Sequence, residues 1–245
     1  MRLRLLIAYE GSGFKGWQSQ AGGGTVQDHL EGAFATLCET RVPVHGAGRT
    51  DAGVHALGQC AHADVEERAG LEGIDWVAAL NGNLPREIRV RRCARVRRDF
   101  HARFSAKGKI YSYRVWNGAI LSPFELRRAW HVAGALDVEA MRRAAAAFEG
   151  RHDFQWFAAN RGKPNLDTVR TIHKVTISGK GPVITLRFHG DGFLYKMARL
   201  MTGALVKTGQ GRAPVESIED YLAGRAGKCS YAAPADGLYL ARVIY

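Results

Sequence analysis

An α+β fold built from two similar halves is predicted by three features of the chain. Short runs of alternating or β-branched apolar residues outnumber the stretches with a helical repeat. Glycine and proline clusters separate these runs at turn-like intervals. The order strand, helix, strands, seen before residue 100, recurs approximately after it. The halves are drawn as 1–104 and 105–245, with the hinge near Ala102 to Gly108. They share element order rather than obvious sequence identity. The length of 245 residues and 46% apolar content suffice for a real core, and exclude a disordered tail, a collagen-like repeat or a disulfide mini-protein.

Residues 2–9 alternate basic and apolar before Leu6-Ile7-Ala8 and read as a strand. Glycines at 11, 13 and 16 and the run Gly22-Gly23-Gly24 make the next segment a loop. Thr25 is a good helix N-cap with Asp28 three residues on, and Val26, Leu30, Ala33, Phe34 and Leu37 repeat at helical spacing through about Glu39. Val42 to Val65 reads as strand and turn, broken by the glycine-bearing segment 46–53. A short helix, Ile74 to Leu80, ends at Asn81-Gly82-Asn83-Leu84-Pro85. Ile88, Val90 and Val96 then mark a strand.

In the second half Lys109 to Trp116 and Ala129 to Val132 read as strands. Asp137 caps a helix whose apolar positions are Val138, Met141, Ala144, Ala145 and Phe148. Thr171 to Ser178 and Val183 to His189 form a hairpin around Gly179-Lys-Gly-Pro182. A helix over Phe193 to Thr208, a short one over Val215 to Leu222 and a closing strand over Leu238 to Tyr245 complete the chain.

Lys and Arg number 35 against 23 Asp and Glu, a formal charge of +12 that makes a polyanion the first partner to consider. Cys38, Cys60, Cys93 and Cys229 are scattered without a C-x-x-C pair, so four buried, reduced thiols are expected rather than a zinc ribbon or disulfide framework. The N-terminal apolar run, Leu5 to Tyr9, is too short for a signal peptide and is interrupted by Glu10. No stretch approaches the ~18 apolar residues of a membrane span. A soluble, cytoplasmic protein is the expectation.

Four constellations can carry chemistry. Gly48-Arg49-Thr50-Asp51-Ala52-Gly53-Val54-His55 would present Asp51 on a rigid bend beside Arg49; an Asp-Gly turn bonded to its own backbone explains the same residues. Eight arginines, at 86, 89, 91, 92, 95, 97, 98 and 103, face only Glu87 and Asp99. With Ile88, Val90 and Val96 turned inward they form an outward stripe, either a phosphate-binding groove or a solvated face. Phe100, Phe104, Tyr111, Tyr113 and Trp116 lie among Arg98, Arg103 and Arg114, as in proteins that stack unpaired bases. Tyr111, Tyr113 and Val115 also share one strand face, which core packing explains equally well. Arg199 lies opposite the apolar face of its helix and four residues before Gly203, a small residue that admits another backbone. There it can partner a carboxylate or simply sit on the surface. The nine histidines show no metal-binding spacing, and no metal site is expected.

Together these segments resemble the A-type tRNA pseudouridine synthases over nearly the whole chain. The resemblance is carried by AYEGSGFKGWQSQ (8–20), TVQDHLEGAF (25–34), GRTDAGVHALGQ (48–59), FHARFSAKGKIYSYRV (100–115), GRHDF (150–154), VRTI (169–172), FLYKMARLMTG (193–203) and GLYLARVIY (237–245). Glu10 stands where that family more often has Asp, and Ala198 where Val is usual. The resemblance implies a pseudouridine synthase fold, a largely antiparallel sheet from two related halves with a central active-site cleft. It implies isomerisation of uridine at positions 38, 39 and 40 of the tRNA anticodon stem-loop, by a homodimer. It matches Asp51 to the catalytic aspartate, Tyr111 to the active-site tyrosine and Arg199 to the arginine that pairs with the aspartate. Arg49 becomes a candidate for easing the target base from its stack, and Arg91, Arg95 and Arg97 for contacts to the RNA backbone.

The implied reaction breaks the C1′–N1 bond, rotates the uracil and joins C1′ to C5, with no net redox change, so no cofactor is expected. Asp51 can attack C1′ or remove the 2′ proton. The reacting uridine must leave its stack, at a cost that phosphate contacts offset. The competing class is a non-catalytic RNA-binding or chaperone protein on the same scaffold, which has no need of Asp51, Tyr111 and Arg199 together. An enzyme of small anionic substrates would leave the arginine stripe unexplained.

Overall fold

A computed structural model describes residues 1–67, 70–159 and 167–245 of the chain. They fall into two compact units, residues 1–107 with 239–245, and residues 108–238. The closing strand thus belongs with the first unit, where the sequence division at 104/105 keeps it in the second half.

The first unit is a sheet with helices on one face. β1 (Arg2–Tyr9) lies between β3 (His55–Asp64) and the edge strand β4 (Ile88–Val96), antiparallel to both. The far side of β3 takes β2 (Val44–Gly46), antiparallel, and β10 (Leu238–Ile244), parallel, with Tyr239 opposite His55. Alternation in β1 is strict on one face: Leu3, Leu5, Ile7 and Tyr9 are all buried. Helix α1 (Val26–Cys38) buries Val26, Leu30, Ala33 and Phe34, and begins with the expected capping box. There Asp28 N–H donates to the Thr25 hydroxyl and Thr25 N–H to the Asp28 carboxylate. Helix α2 (Trp76–Gly82) starts two residues later than the apolar pattern suggests, because Asp75 caps it through Val77 and Ala78 N–H.

The second unit is an antiparallel sheet in the order β5 (Gly108–Trp116), β9 (Val183–Gly190), β8 (Val169–Lys180), β7 (Gly150–Asp153), with β6 (Trp130–His131) parallel to β5. β7 has no apolar alternation of its own and is absent from the sequence reading; pairing with β8 creates it. Helices α3 (Val138–Ala146), α4 (Met197–Gly209) and α5 (Ser217–Leu222) join Phe148, Phe154 and Phe157 in this unit's core. The predicted helix over 193–208 begins only at Met197, since Lys196 sits in the left-handed region at φ 60. α4 buries residues almost all round rather than along one stripe. No helix among the described residues is long and apolar enough to cross a membrane. Cys38, Cys60 and Cys229 are buried free thiols, but Cys93 is only half-buried, since it lies on the edge strand; burial still pushes its thiol up to about 11.

Candidate active site and arginine-rich strand

The loop between β2 and β3 carries Arg49 and Asp51, and the fold fixes its backbone at each step. Ala47 N–H donates to Cys60 O at 2.7 Å, and Gln59 Nε2 to Gly48 O at 2.9 Å. Trp17 N–H donates to Thr50 O at 3.0 Å. The buried Thr50 hydroxyl lies 2.8 Å from the Tyr9 hydroxyl, whose phenol burial holds well above its usual range and hence protonated. Val54 N–H closes the turn on Asp51 O at 3.1 Å, so the main chain makes this bend, with Gly53 at φ +80 completing it.

The glycine-rich segment after β1 is the other wall of this loop. A Cβ on Gly16 would stand 2.7 Å from Thr50 O, and one on Gly11 only 2.0 Å from Val54 O. Gly11 N–H donates to His55 Nδ1 at 2.9 Å. Glu10, longer than the Asp that the resemblance leads one to expect, accepts from the Ser12 hydroxyl at 2.8 Å and closes this turn through the side chain. Asp51 is half-buried on this frame; Arg49 is exposed, with its Nε donating to Gln18 Oε1 at 3.0 Å.

In the second unit Tyr111 lies on β5 opposite Phe188, 8% exposed, with the Phe193 ring edge-on at 4.9 Å. Tyr113 and Val115 are fully buried on the same face, and the Tyr113 hydroxyl donates to Pro234 O. That face is therefore core, and Tyr111 stands near its end. Arg199, in the first turn of α4, donates from Nε to Ala233 O at 2.7 Å, while Ala233 N–H donates back to Arg199 O at 3.0 Å. Gly203 permits this contact: a Cβ there would lie 2.2 Å from Tyr231 O. The arginine is half-buried against a neighbouring chain segment, not on an open helix surface.

The arginine-rich segment differs from the expected stripe. Ile88 and Val90 are buried, but the pairing with β1 shifts between Val90 and Arg92, leaving Arg91 as an extra residue. Such a bulge inverts the alternation beyond it. Val96 consequently sits opposite Arg2, away from the buried face, and Arg95 opposite Leu3. The charges are also less free than the local sequence suggests. Arg95 pairs with Glu67 at 2.7 Å, Arg97 with Asp99 at 2.8 Å, and Arg91 donates to Leu57 O. Arg89 donates to the carbonyls of Pro85 and Ile88 and holds the turn before its own strand. Arg86, Arg92 and Arg98 are exposed, with no ion-pair partner among the described residues.

A cluster of His45, His62 and His101 escaped the sequence reading, since its members come from β2, β3 and the turn after β4. The His62 ring centroid lies 5.0 Å from His45 and 4.6 Å from His101. Ala102 N–H donates to His62 Nδ1 at 3.2 Å. No spacing motif could have revealed it. Among the described residues no group of three or more His, Cys, Asp or Glu is arranged to hold a metal.

Residues 5–105 and 144–245 match the family model described as tRNA pseudouridine synthase. Three relatives, each named tRNA pseudouridine synthase A, align with essentially the full chain. The protein of Solidesulfovibrio magneticus is 49% identical, covering 100% of this chain and 91% of its own. That of Akkermansia muciniphila is 45% identical, covering 100% and 95%. That of Methylacidiphilum infernorum is 44% identical, covering 99% and 94%. With a family model spanning most of its length and identities this high over nearly all of it, the chain belongs to the tRNA pseudouridine synthase family.

Proposed function

We propose that this chain isomerises uridines 38, 39 and 40 of the tRNA anticodon stem-loop to pseudouridine, with Asp51 as the catalytic carboxylate. The observation that carries the assignment is the frame of the Asp51 loop. Main-chain bonds from Trp17 and Val54, the buried Tyr9–Thr50 contact and the close approach of Gly11 and Gly16 fix the backbone that carries one half-buried carboxylate. Preorganisation of this kind is what a reacting group requires.

Asp51 acts at the ribose, by attack on C1′ or by removal of the 2′ proton, and the C1′–N1 bond breaks. The freed uracil turns over and C5 bonds to C1′; loss of the C5 proton restores the ring. Tyr111 is proposed to stack on the uracil during its rotation and to take part in that proton removal, and Arg199 to serve as the charge partner of the aspartate. Arg49 is proposed to help the target base out of its stack. Arg91, Arg95 and Arg97 are proposed to touch the RNA backbone; the surface pairs of Arg95 with Glu67 and Arg97 with Asp99 are weak enough to open for phosphate. A homodimer in the cytoplasm belongs to the same proposal, on the strength of the resemblance.

Replacing Asp51 by Asn tests the central claim. Pseudouridine formation on an anticodon stem-loop is expected to fall to background while binding of the same RNA persists. Near-normal turnover by Asp51→Asn overturns the assignment.

A further inference from the structure

Five aromatic side chains lie among the arginines between 98 and 116, and the fold takes four of them into packing. Tyr111 and Tyr113 are buried. Phe100 is half-buried with the Arg4 guanidinium 5.7 Å from its centroid and the Tyr245 ring at 5.0 Å. Trp116 is half-buried and donates from its indole to Ile120 O. Phe104 stands in solvent, 77% exposed.

The turn that presents Phe104 is tightly built. His101 Nδ1 accepts from the N–H groups of Arg103 at 3.1 Å and Phe104 at 3.3 Å. His101 N–H donates to the Ser105 hydroxyl, and Ser105 N–H to His101 O. The buried Ala102 is anchored at both ends: its N–H donates to His62 Nδ1, and its carbonyl accepts the Tyr245 hydroxyl at 2.7 Å. Arg2 fastens the preceding residues by donating to the carbonyls of Arg98 and Phe100. An exposed phenyl ring on so constrained a backbone adds little burial to folding, yet the backbone that presents it is fixed.

Its surroundings select the partner. The Arg103 guanidinium lies 5.6 Å from the Phe104 centroid, and the His101 ring packs against it at 4.4 Å, tilted by 33°. An aromatic face beside a cation fits a flat, polarisable group on an anionic backbone, which is an unpaired nucleobase. We propose that Phe104, beside Arg103, is a stacking platform for an unpaired base of the RNA substrate, outside the residues assigned to the chemistry. The inference rests on the reading of the chain as an enzyme of tRNA.

The test uses the full chain and an anticodon stem-loop RNA. Phe104→Ala is expected to bind about ten-fold more weakly, and Phe104→Trp about as tightly as the parent. The slope of log affinity against log salt should be unchanged in Phe104→Ala, which removes no charge, and should fall by roughly one unit in Arg103→Ala. An abasic nucleotide at the stacked position should weaken binding to the parent as much as Phe104→Ala does, with no further loss when the two are combined. Equal affinity of Phe104→Ala and the parent overturns the inference and leaves the enzymatic reading standing. So does a loss of affinity that tracks a change in solution mass, which makes Phe104 a protein contact. A parent chain that binds no stem-loop RNA overturns both.

Discussion

A methyl group at position 11 has nowhere to go, since its carbon would lie 2.0 Å from Val54 O, beside the loop that carries Asp51. Gly11→Ala must push either the glycine turn or residues 51–55 aside. The expected cost is about 1–3 kcal/mol in stability, as for other overpacked sites, with a loss of turnover that exceeds the loss of RNA binding. Gly13→Ala is the control: nothing lies within 4 Å of its added carbon, and both quantities should stay at the parent level in denaturant titration and single-turnover assay. Glycines at 11, 13 and 16 are equally visible in the sequence. Which of them is indispensable depends on the loop 50–55, far along the chain. The small residue at Gly203 was legible as an approach point for another backbone, but that backbone, at Tyr231, was not.

At the scale of the element, β4 shows how one extra residue redistributes charge. The bulge at Arg91 places Arg92 opposite Leu6 and Arg95 opposite Leu3, on different faces of an edge strand. Cationic edges also discourage pairing with another sheet, so part of this charge serves the fold whatever it binds. Neutralising Arg92 and Arg98 together is expected to flatten the salt dependence of RNA binding more than neutralising Arg95 and Arg97. Phosphate contacts from the latter pair require their ion pairs with Glu67 and Asp99 to open first. Affinities measured from low to high salt decide this, each lost phosphate contact lowering the slope by roughly 0.7–0.9. Equal slopes for the two double variants contradict it. Elements with strong local signals, such as the capping box of α1 and the hairpin of β8 and β9, were legible to within a few residues. β7 and the bulge were not, because each exists only through its partner strand.

At the scale of the whole molecule, the histidine cluster links acidity to stability. Burial pushes His62 down to about 4, helped by His101, Arg2 and His45 and opposed by Asp64. His101 is lowered as well, again chiefly by burial. Between pH 6.5 and 4 the unfolded chain therefore takes up a proton at His62 that the folded chain refuses. Stability is complete above pH 6.5 and falls as the pH drops through that window, by about 2 kcal/mol at pH 5 from His62. Urea titrations at pH 7.5 and 5.0 check this: His62→Gln should lose much of the difference, and an equal difference in the variant contradicts the assignment.

The sequence by itself determined the α+β class, most helix and strand positions, the family, and the loop on which Asp51 stands. These follow from periodicity, capping and turn chemistry, which act over a few residues, and from motifs read in order. Tertiary structure alone decided that the last strand pairs with β3 in the first unit, that Arg95 has an acidic partner in Glu67, and that Phe104 stays in solvent while Tyr111 and Tyr113 are covered. Each of these outcomes depends on which distant segments meet, and burial, ion pairing and strand register are properties of that meeting.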